Sequence, residues 1–309
     1  MQVEMSLRLL KAGKHVLQEK PAAASNTLCP NHAAISEAET ALSHYNSICA
    51  SIPGQPIWAV AENYRFEPAF VECKKLMEEI GDMMSIQVIV EGSMNSSNPY
   101  FSSSWRRNFT VRWFHSGYGG TFHCRMRMLV GCEIASVRAI TSHVDTMLPP
   151  PDNISSVFQL ENGCSGVFVM VVSTRAPKAC DILASCWLKR NTALERGNKE
   201  GSHGYQDTKT MYLDYEKLQP AFDIFQSYDS FSFHGADGQC KSSFYPFSGV
   251  TEELKTFIHD ISQATLKKGS SYEAETRLSF VEGARDVAVL DAMLESGMRQ
   301  GALVQVKKF

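Results

Sequence analysis

Charged and polar residues follow two short apolar stretches of the chain, and their types could support chemistry. Glu19 and Lys20 follow the first stretch, and Asn63 and Arg65 follow the second, Ile57–Ala61. A carboxylate or guanidinium at a strand end can bind a ligand or simply pair with other surface charges, and an asparagine there is often a turn former. A lysine can stabilise negative charge on a substrate oxygen, but most single lysines at strand ends are only exposed surface residues.

A second group of candidates lies between residues 115 and 124. His123 could act as a general base, because the unperturbed pKa of histidine is about 6.5; a loop or core histidine is the alternative. His115, His123 and Cys124 have no fourth ligand at a recognised spacing, and the sequence contains neither HExxH nor CxxC. We therefore expect no metal site.

The elements that must position the two strand ends alternate between helix and strand. Helical spacing of apolar residues predicts helices over Met1–Lys14 and Asn26–Ile48, each followed by a strand, His15–Leu17 and Ile57–Ala61. This order predicts parallel pairing of the strands, with helices packed on the sheet.

Past a clear amphipathic helix that begins at Pro68 and stops at Gly81, the pattern changes to alternation. Two alternating stretches, 154–160 and 166–172, flank Asn162-Gly163, a strong hairpin signal. Antiparallel sheet and two late helices follow from this pattern. We place the domains at residues 1–81 and 82–309, with the last helices able to pack back on the first domain, and interpret 94–118 and 197–245 as loops.

Composition and charge exclude several classes of protein. The 309 residues carry a net charge of -3, so the chain has no excess of basic residues with which to bind nucleic acid or an anionic membrane. We expect neither partner. The nine cysteines are odd in number, which suits reduced thiols in the cytoplasm better than a disulfide framework.

The segment Ala12–Pro21, AGKHVLQEKP, resembles the signature of the glucose-fructose oxidoreductase, inositol dehydrogenase and rhizopine-catabolism family (Gfo/Idh/MocA). Further matches in the same order are Asn63–Phe66, Glu195–Gly197 and the ending from Val281 to Val306. The resemblance therefore covers most of the chain.

This resemblance implies a fold and an activity. The fold would be an incomplete Rossmann-type parallel α/β domain followed by an α+β domain with a large, mainly antiparallel open sheet, through which a homo-oligomer can form. The activity would be that of an NAD- or NADP-dependent oxidoreductase acting on the CH–OH group of a sugar-like or small polyol substrate.

By the same resemblance, Lys20 would be catalytic and lie between nicotinamide and substrate, and the Lys20–Pro21 bond can be cis in such a turn. The candidate cofactor-binding residues are Glu19, Pro21, Asn63 and Arg65.

The chain departs from the family in two places. It contains no GxGxxG for the cofactor pyrophosphate, and it opens in the middle of a helix–strand unit, so we expect the Rossmann domain to be truncated. In the family, a glycine pair is followed by an aspartate and, four positions later, a histidine. Here no aspartate follows Gly119-Gly120, and His123 comes too early. We predict that positions between Gly120 and Arg127 are lost, together with most of a helix.

These departures leave other interpretations open. The chain could be a non-catalytic truncated or spliced product that keeps the sheet domain as an interaction module. Alternatively, the assigned start and one exon boundary could be wrong, and the natural protein could be the complete enzyme.

Overall fold

The computed structural model describes residues 2–23, 33–80, 83–91, 119–148, 150–173, 181–188, 210–214, 228–234, 240–266 and 272–309. Its α-helices are α1 Gln2–Lys11, α2 Ala33–Ser51, α3 Pro68–Ile80, α4 Gly119–Val130, α5 Gly249–Leu266 and α6 Phe280–Met298. Two 3₁₀ turns cover Asn63–Arg65 and Thr276–Leu278. Its strands are β1 Val16–Glu19, β2 Trp58–Ala61, β3 Met83–Glu91, β4 Ile134–Ser142, β5 Asn153–Leu160, β6 Ser165–Val171, β7 Asp181–Leu188, β8 Thr210–Asp214, β9 Tyr228–His234, β10 Cys240–Pro246 and β11 Val304–Gln305.

The first part of the chain follows the order α1, β1, α2, β2. Gly13 adopts a φ of 72°, the left-handed conformation that commonly ends a helix, and so separates α1 from β1. β1 and β2 pair in parallel, with Glu19 opposite Ala61, which confirms the predicted pairing. The predicted start of α2 at Asn26 lies outside the described residues.

The remaining strands form one nine-stranded sheet in the order β10-β9-β8-β7-β3-β6-β5-β4-β11. Only β3 and β6 pair in parallel among these described strands, so the sheet is mainly antiparallel, as predicted. The β5–β6 hairpin turns at Gly163, whose φ is 87°. The predicted fold class is confirmed.

Helix α6 packs against both parts of the molecule. Near its start, Phe280 and Ala284 belong to a buried cluster that includes Trp58 of β2. Further along, Leu290 and Met293 belong to the buried cluster beneath the large sheet. One helix thus contacts both sheets, while the boundary at residue 81 stays a prediction.

Two sequence predictions are wrong. Residues 119–130 form α4, whereas we expected most of a helix to be lost there. Met126 and Leu129, three residues apart on one face, are buried in the core, and this packing stabilises the helix.

The second wrong prediction concerns residues 197–245. We interpreted them as loops, yet they contain β8, β9 and the start of β10. Tyrosine and phenylalanine in these segments favour strands, and the surrounding serine and glycine residues obscured that signal. No helix in the described part of the chain is long and apolar enough to cross a membrane.

Candidate active site

Lys20 and Glu62 lie at the same edge of the small parallel sheet. β1 ends at Glu19 and β2 ends opposite it at Ala61, so each strand delivers its next residue to the carboxyl edge, where α/β sheets commonly bind ligands. The Lys20–Pro21 bond is cis, as expected from the sequence. Lys20, Pro21 and Glu62 line a cavity of about 20 Å³, which is large enough for one water-sized group.

The buried amide of Gln18 holds the turn that carries Lys20. Its oxygen accepts hydrogen bonds from Ser6 Oγ at 2.9 Å and from Trp58 Nε1 at 3.2 Å. Its nitrogen donates to the backbone oxygen of Ala22 at 2.9 Å. Because a buried polar group must be satisfied, this side chain ties the turn to α1 and β2. Sequence reasoning missed Gln18; its position two residues after inward-facing Val16 was the available signal.

The start of α6 packs directly on this turn. The Ser279 hydroxyl caps the helix by accepting a hydrogen bond from the Glu282 amide at 3.2 Å. A Cβ atom on Gly283 would lie 2.9 Å from the Ala22 Cβ and 3.1 Å from a Val60 methyl carbon. The absence of a side chain at Gly283 therefore allows the close approach.

A buried ion-pair network lies beside the cavity. Arg65 Nη2 donates to Asp286 Oδ2, and Arg127 Nη1 donates to Asp286 Oδ1 at 2.6 Å. Arg127 also binds Glu133 at 2.7 Å and Glu282 at 2.9 Å. Burial lowers the pKa of Arg127, but Asp286 and the two glutamates more than offset this and raise it. Both guanidiniums therefore stay charged.

The sequence left two roles open for Arg65, binding of a ligand such as the cofactor or pairing with other charges, and the network distinguishes between them. Its side chain is only 3 % exposed, and its Nη1 donates to the backbone oxygen of Arg277 at 2.9 Å. These contacts favour the structural role over contact with a cofactor.

Two further carboxyl groups are buried close to one another, and one of them, Glu62, lines the cavity beside Lys20. Glu62 is 4 % exposed and Glu253, on α5, is 3 % exposed. Burial raises the pKa of Glu253 to about 8, the charges of Glu62 and Glu19 contribute, and the Glu62 backbone amide and Arg65 partly oppose the shift. Oε1 of Glu62 and Oε1 of Glu253 find no hydrogen-bond partner within the ranges that the structure describes.

Glu253 was missed because an acidic residue in a helix is usually exposed. The apolar residues Val250, Leu254 and Ile258 of α5 are instead 46 %, 43 % and 61 % exposed. The buried face contains Glu253 and Phe257. For Glu62, its place directly after an apolar strand was an available signal.

The other predicted site residues occupy different environments. Glu19 is exposed at the end of β1, and Asn63 is half-buried at the start of a 3₁₀ turn. His123 lies in α4, but its side chain is outside the description, and His115 lies outside the described residues altogether. Within the described residues, no group of three or more metal-binding side chains comes together.

Comparison with known proteins finds a curated dehydrogenase and solved oxidoreductases, although no protein-family model matches the chain. The chain is 26 % identical to dehydrogenase FPY6 of Fusarium mangiferae over 312 aligned residues, which cover 97 % of this chain and 73 % of that protein. The solved structure of a levoglucosan dehydrogenase in complex with NADH and levoglucosan matches this chain with a TM-score of 0.67 at 17 % identity. The match covers 100 % of this chain and 78 % of the dehydrogenase.

A putative myo-inositol dehydrogenase from Sinorhizobium meliloti matches with a TM-score of 0.61 at 17 % identity, over 99 % of this chain and 78 % of that dehydrogenase. An oxidoreductase from Agrobacterium radiobacter in complex with NAD+, L-tartaric acid and magnesium matches with a TM-score of 0.68 at 14 % identity, over 98 % of this chain and 76 % of that oxidoreductase. The chain has the fold of Gfo/Idh/MocA-type oxidoreductases. The resemblance seen in Ala12–Pro21 is thus confirmed at the level of the fold.

Proposed function

We propose that this chain is an NAD(P)-dependent oxidoreductase that acts on the CH–OH group of a sugar-like or small polyol substrate. The observation that carries the proposal is the placement of Lys20 at the carboxyl edge of the parallel sheet, beside a cavity, in a fold shared with a dehydrogenase solved with NADH and levoglucosan.

The residues of this edge fit the reactive end of such a cofactor. Glu19 is exposed and Asn63 is half-buried, which leaves both able to contact a ribose or a carboxamide. The Glu62 oxygen without a partner in the described structure adds an acceptor beside Lys20. The described residues supply no glycine-rich turn for a pyrophosphate. When bound, the cofactor supplies hydride transfer.

Lys20 would act on the substrate hydroxyl. As an amine it accepts the hydroxyl proton, and as an ammonium it stabilises the negative charge that develops on the oxygen. The Gln18 hydrogen bonds fix the direction of the turn, so that the lysine needs little reorganisation during the reaction.

Titration of NADH and NADPH into the purified chain tests this proposal, with nicotinamide fluorescence and thermal shift as readouts. We expect saturable binding of one of the two, about threefold to tenfold weaker in Asn63→Ala because a hydrogen bond is lost. Asn46→Ala, an exposed asparagine on α2, is the matched control and should bind like the unmodified chain. Failure of a well-folded sample to bind either cofactor would refute the proposal and favour the non-catalytic interaction module.

We also propose that the open face of the large sheet pairs two copies of this chain. Ile140 of β4 and Val157 of β5 lie on this face and are 57 % and 55 % exposed. Burying such apolar side chains against a second copy stabilises an oligomer. Light scattering should report a dimer that Val157→Glu shifts to monomer, while Leu266→Glu, which is on α5, leaves it intact. A monomer for the unmodified chain would contradict this.

A cytoplasmic location is part of the proposal. Free thiols suit a reducing compartment. Among the described residues, the free cysteines are Cys49, Cys73, Cys124, Cys132 and Cys164.

A further inference from the structure

The small parallel sheet has one edge that no described strand covers. Among the described strands, β1 pairs only with β2, and the far edge of β2 is covered because Ala59 forms a β-bridge with Ser279. The backbone amide of Val16 donates to the oxygen of Ile57 at 2.8 Å, so Val16 faces β2. Backbone groups alternate in direction along a strand, and those of Leu17 therefore face the uncovered edge. Such an edge is a template for a further strand.

Both faces of this two-stranded sheet are covered by helices. Val16 and Trp58 belong to a buried cluster with α1, α2 and the start of α6. On the other face, Leu17 and Ile57 pack with Phe257 of α5. A strand added beside β1 would therefore lie between two helical layers. Strands in that position carry continuous apolar runs, because both of their faces are buried.

Helix α5 exposes apolar side chains on the flank that faces the uncovered edge. On its other flank, Asp260 accepts a hydrogen bond from the Tyr272 hydroxyl at 2.7 Å, in the segment that leads to the covered edge of β2. Each step of three residues shifts the position around a helix by about 60°. Buried Phe257 and then exposed Leu254 thus follow Asp260 around α5, away from β2. The apolar residues exposed on this flank are Val250, Leu254 and Ile258.

Helix α1 exposes apolar side chains towards the same edge on the opposite face of the sheet. Gln2 donates a hydrogen bond to the backbone oxygen of Glu19, and Ser6 donates one to the Gln18 side chain at 2.9 Å, so α1 lies over β1. The Glu19 oxygen, two residues after Leu17, faces the uncovered edge, and the flank of α1 that carries Gln2 therefore faces it too. The apolar residues on this flank are Met5 and Leu9, which are 53 % and 43 % exposed.

We propose that the uncovered edge of β1 and these two apolar flanks form one docking surface, the β1 slot, for an extended apolar strand of a partner polypeptide. The edge of β1 supplies main-chain donors and acceptors, as in other cases of strand addition to a sheet. The flanks of α1 and α5 cover the two faces of the added strand. Because both flanks are apolar, the strand that fits has apolar side chains on both faces. This inference goes beyond the proposed function and does not depend on it.

A second copy of this chain does not fit the β1 slot. Neighbouring strands lie about 4.8 Å apart, whereas the axes of packed helices lie about 8–10 Å apart. Since α1 lies over β1, pairing of two β1 edges would bring two α1 helices to about the strand spacing, which is too close. The slot therefore fits an extended segment that carries no helix over this edge.

A synthetic peptide tests the proposal. The probe has about five consecutive valine and isoleucine residues, the usual length of a strand, between lysine residues that keep it soluble. Fluorescence anisotropy of a dye on the peptide should show saturable binding to the purified chain. Leu254→Glu on α5 and Leu9→Glu on α1 should each weaken it by about tenfold or more, because a charge replaces an apolar side chain in the contact.

The matched control is Leu266→Glu, which changes a leucine at the end of α5 that is 76 % exposed. This variant should bind the peptide like the unmodified chain, and thermal unfolding checks that all three variants fold. Absence of peptide binding by the folded, unmodified chain would overturn the proposal. Equal binding by Leu254→Glu and the unmodified chain would overturn it as well.

A second peptide separates strand pairing from nonspecific hydrophobic binding. It has the same side chains, but its backbone nitrogens are methylated, so that it has no N–H groups to donate to β1. We expect this peptide to lose saturable binding. If it binds as tightly as the first peptide, main-chain pairing with β1 is excluded.

Light scattering tests whether a second copy fills the slot instead. The measurement uses Val157→Glu, which removes the contact between copies proposed above for the large sheet. We expect this variant to be a monomer. A larger species that becomes monomeric when Leu254→Glu is added would mean that a second copy occupies the β1 slot, and would overturn the proposal of a partner strand.

Discussion

Replacing Asp286 by alanine is expected to lower the free energy of unfolding by about 3–5 kcal/mol, the cost of removing one partner of a buried ion pair. Asp286 binds both Arg65 and Arg127, and its side chain is only 7 % exposed. In its absence Arg127 keeps Glu133 and Glu282. Arg65 loses its contact with a carboxylate and keeps the hydrogen bond to the Arg277 backbone oxygen, so most of the cost arises at Arg65.

Urea unfolding of Asp286→Ala, Asp286→Asn and the unmodified chain measures this effect. Asp286→Asn preserves the shape but removes the charge, so it should be nearly as destabilising. The matched control is Lys255→Ala, which breaks an ion pair with Glu252 between side chains that are 66 % and 43 % exposed. Such a pair contributes about 0–1 kcal/mol. A loss for Asp286→Ala no larger than that of Lys255→Ala would show that the network does not stabilise the fold.

The network also explains how a site at the first sheet depends on residues far along the chain. Arg65 comes from the turn after β2, Arg127 from α4 and Asp286 from α6. Because α6 packs on the Lys20 turn through Gly283, displacement of Asp286 would also disturb the wall of the cavity. Stability and the proposed activity are therefore expected to be coupled in this region, and folding of each site variant must be checked before its activity is compared.

Local patterns predicted the parts of the fold that are built from neighbours in sequence. The helix before Gly13, the parallel strands β1 and β2, and the hairpin at Gly163 were all predicted correctly. The buried face of α5 could not be predicted in this way, because its apolar residues occupy two sides of the helix and periodicity alone does not say which side packs against the rest of the protein. Val250 and Leu254 lie on the exposed side, and Glu253 lies on the buried one.

The candidate site was predicted only in part for a similar reason. The motif that ends at Pro21 indicates Lys20, and position after a strand indicates Asn63 and Arg65. Nothing local marks Glu253 or Asp286, because an acidic residue in a helix is usually exposed. Their burial is set by contacts with residues 191 and 221 positions earlier, Glu62 and Arg65. Such contacts follow from the packing of α5 and α6 against β2, which the sequence pattern does not reveal.

Replacing Lys20 by alanine is expected to lower kcat for polyol oxidation by about 10² to 10⁴, the usual contribution of a positioned acid–base group. Lys20 is half-buried at the turn, and thermal unfolding of Lys20→Ala checks that the variant keeps the fold. Binding of NADH or NADPH should be weakened far less than kcat, because a group that acts on the hydroxyl contributes mainly in the transition state.

Two further variants test whether the effect is specific to Lys20 and whether it depends on charge or on proton transfer. Lys14→Ala removes an exposed lysine of the same motif and should leave kcat unchanged. Lys20→Arg keeps a positive charge that cannot be deprotonated in a protein. Loss of activity in Lys20→Arg comparable to that in Lys20→Ala identifies proton transfer as the role of Lys20, whereas near-normal activity in Lys20→Arg would mean that only its charge is needed. Full turnover in Lys20→Ala would exclude Lys20 from the chemistry.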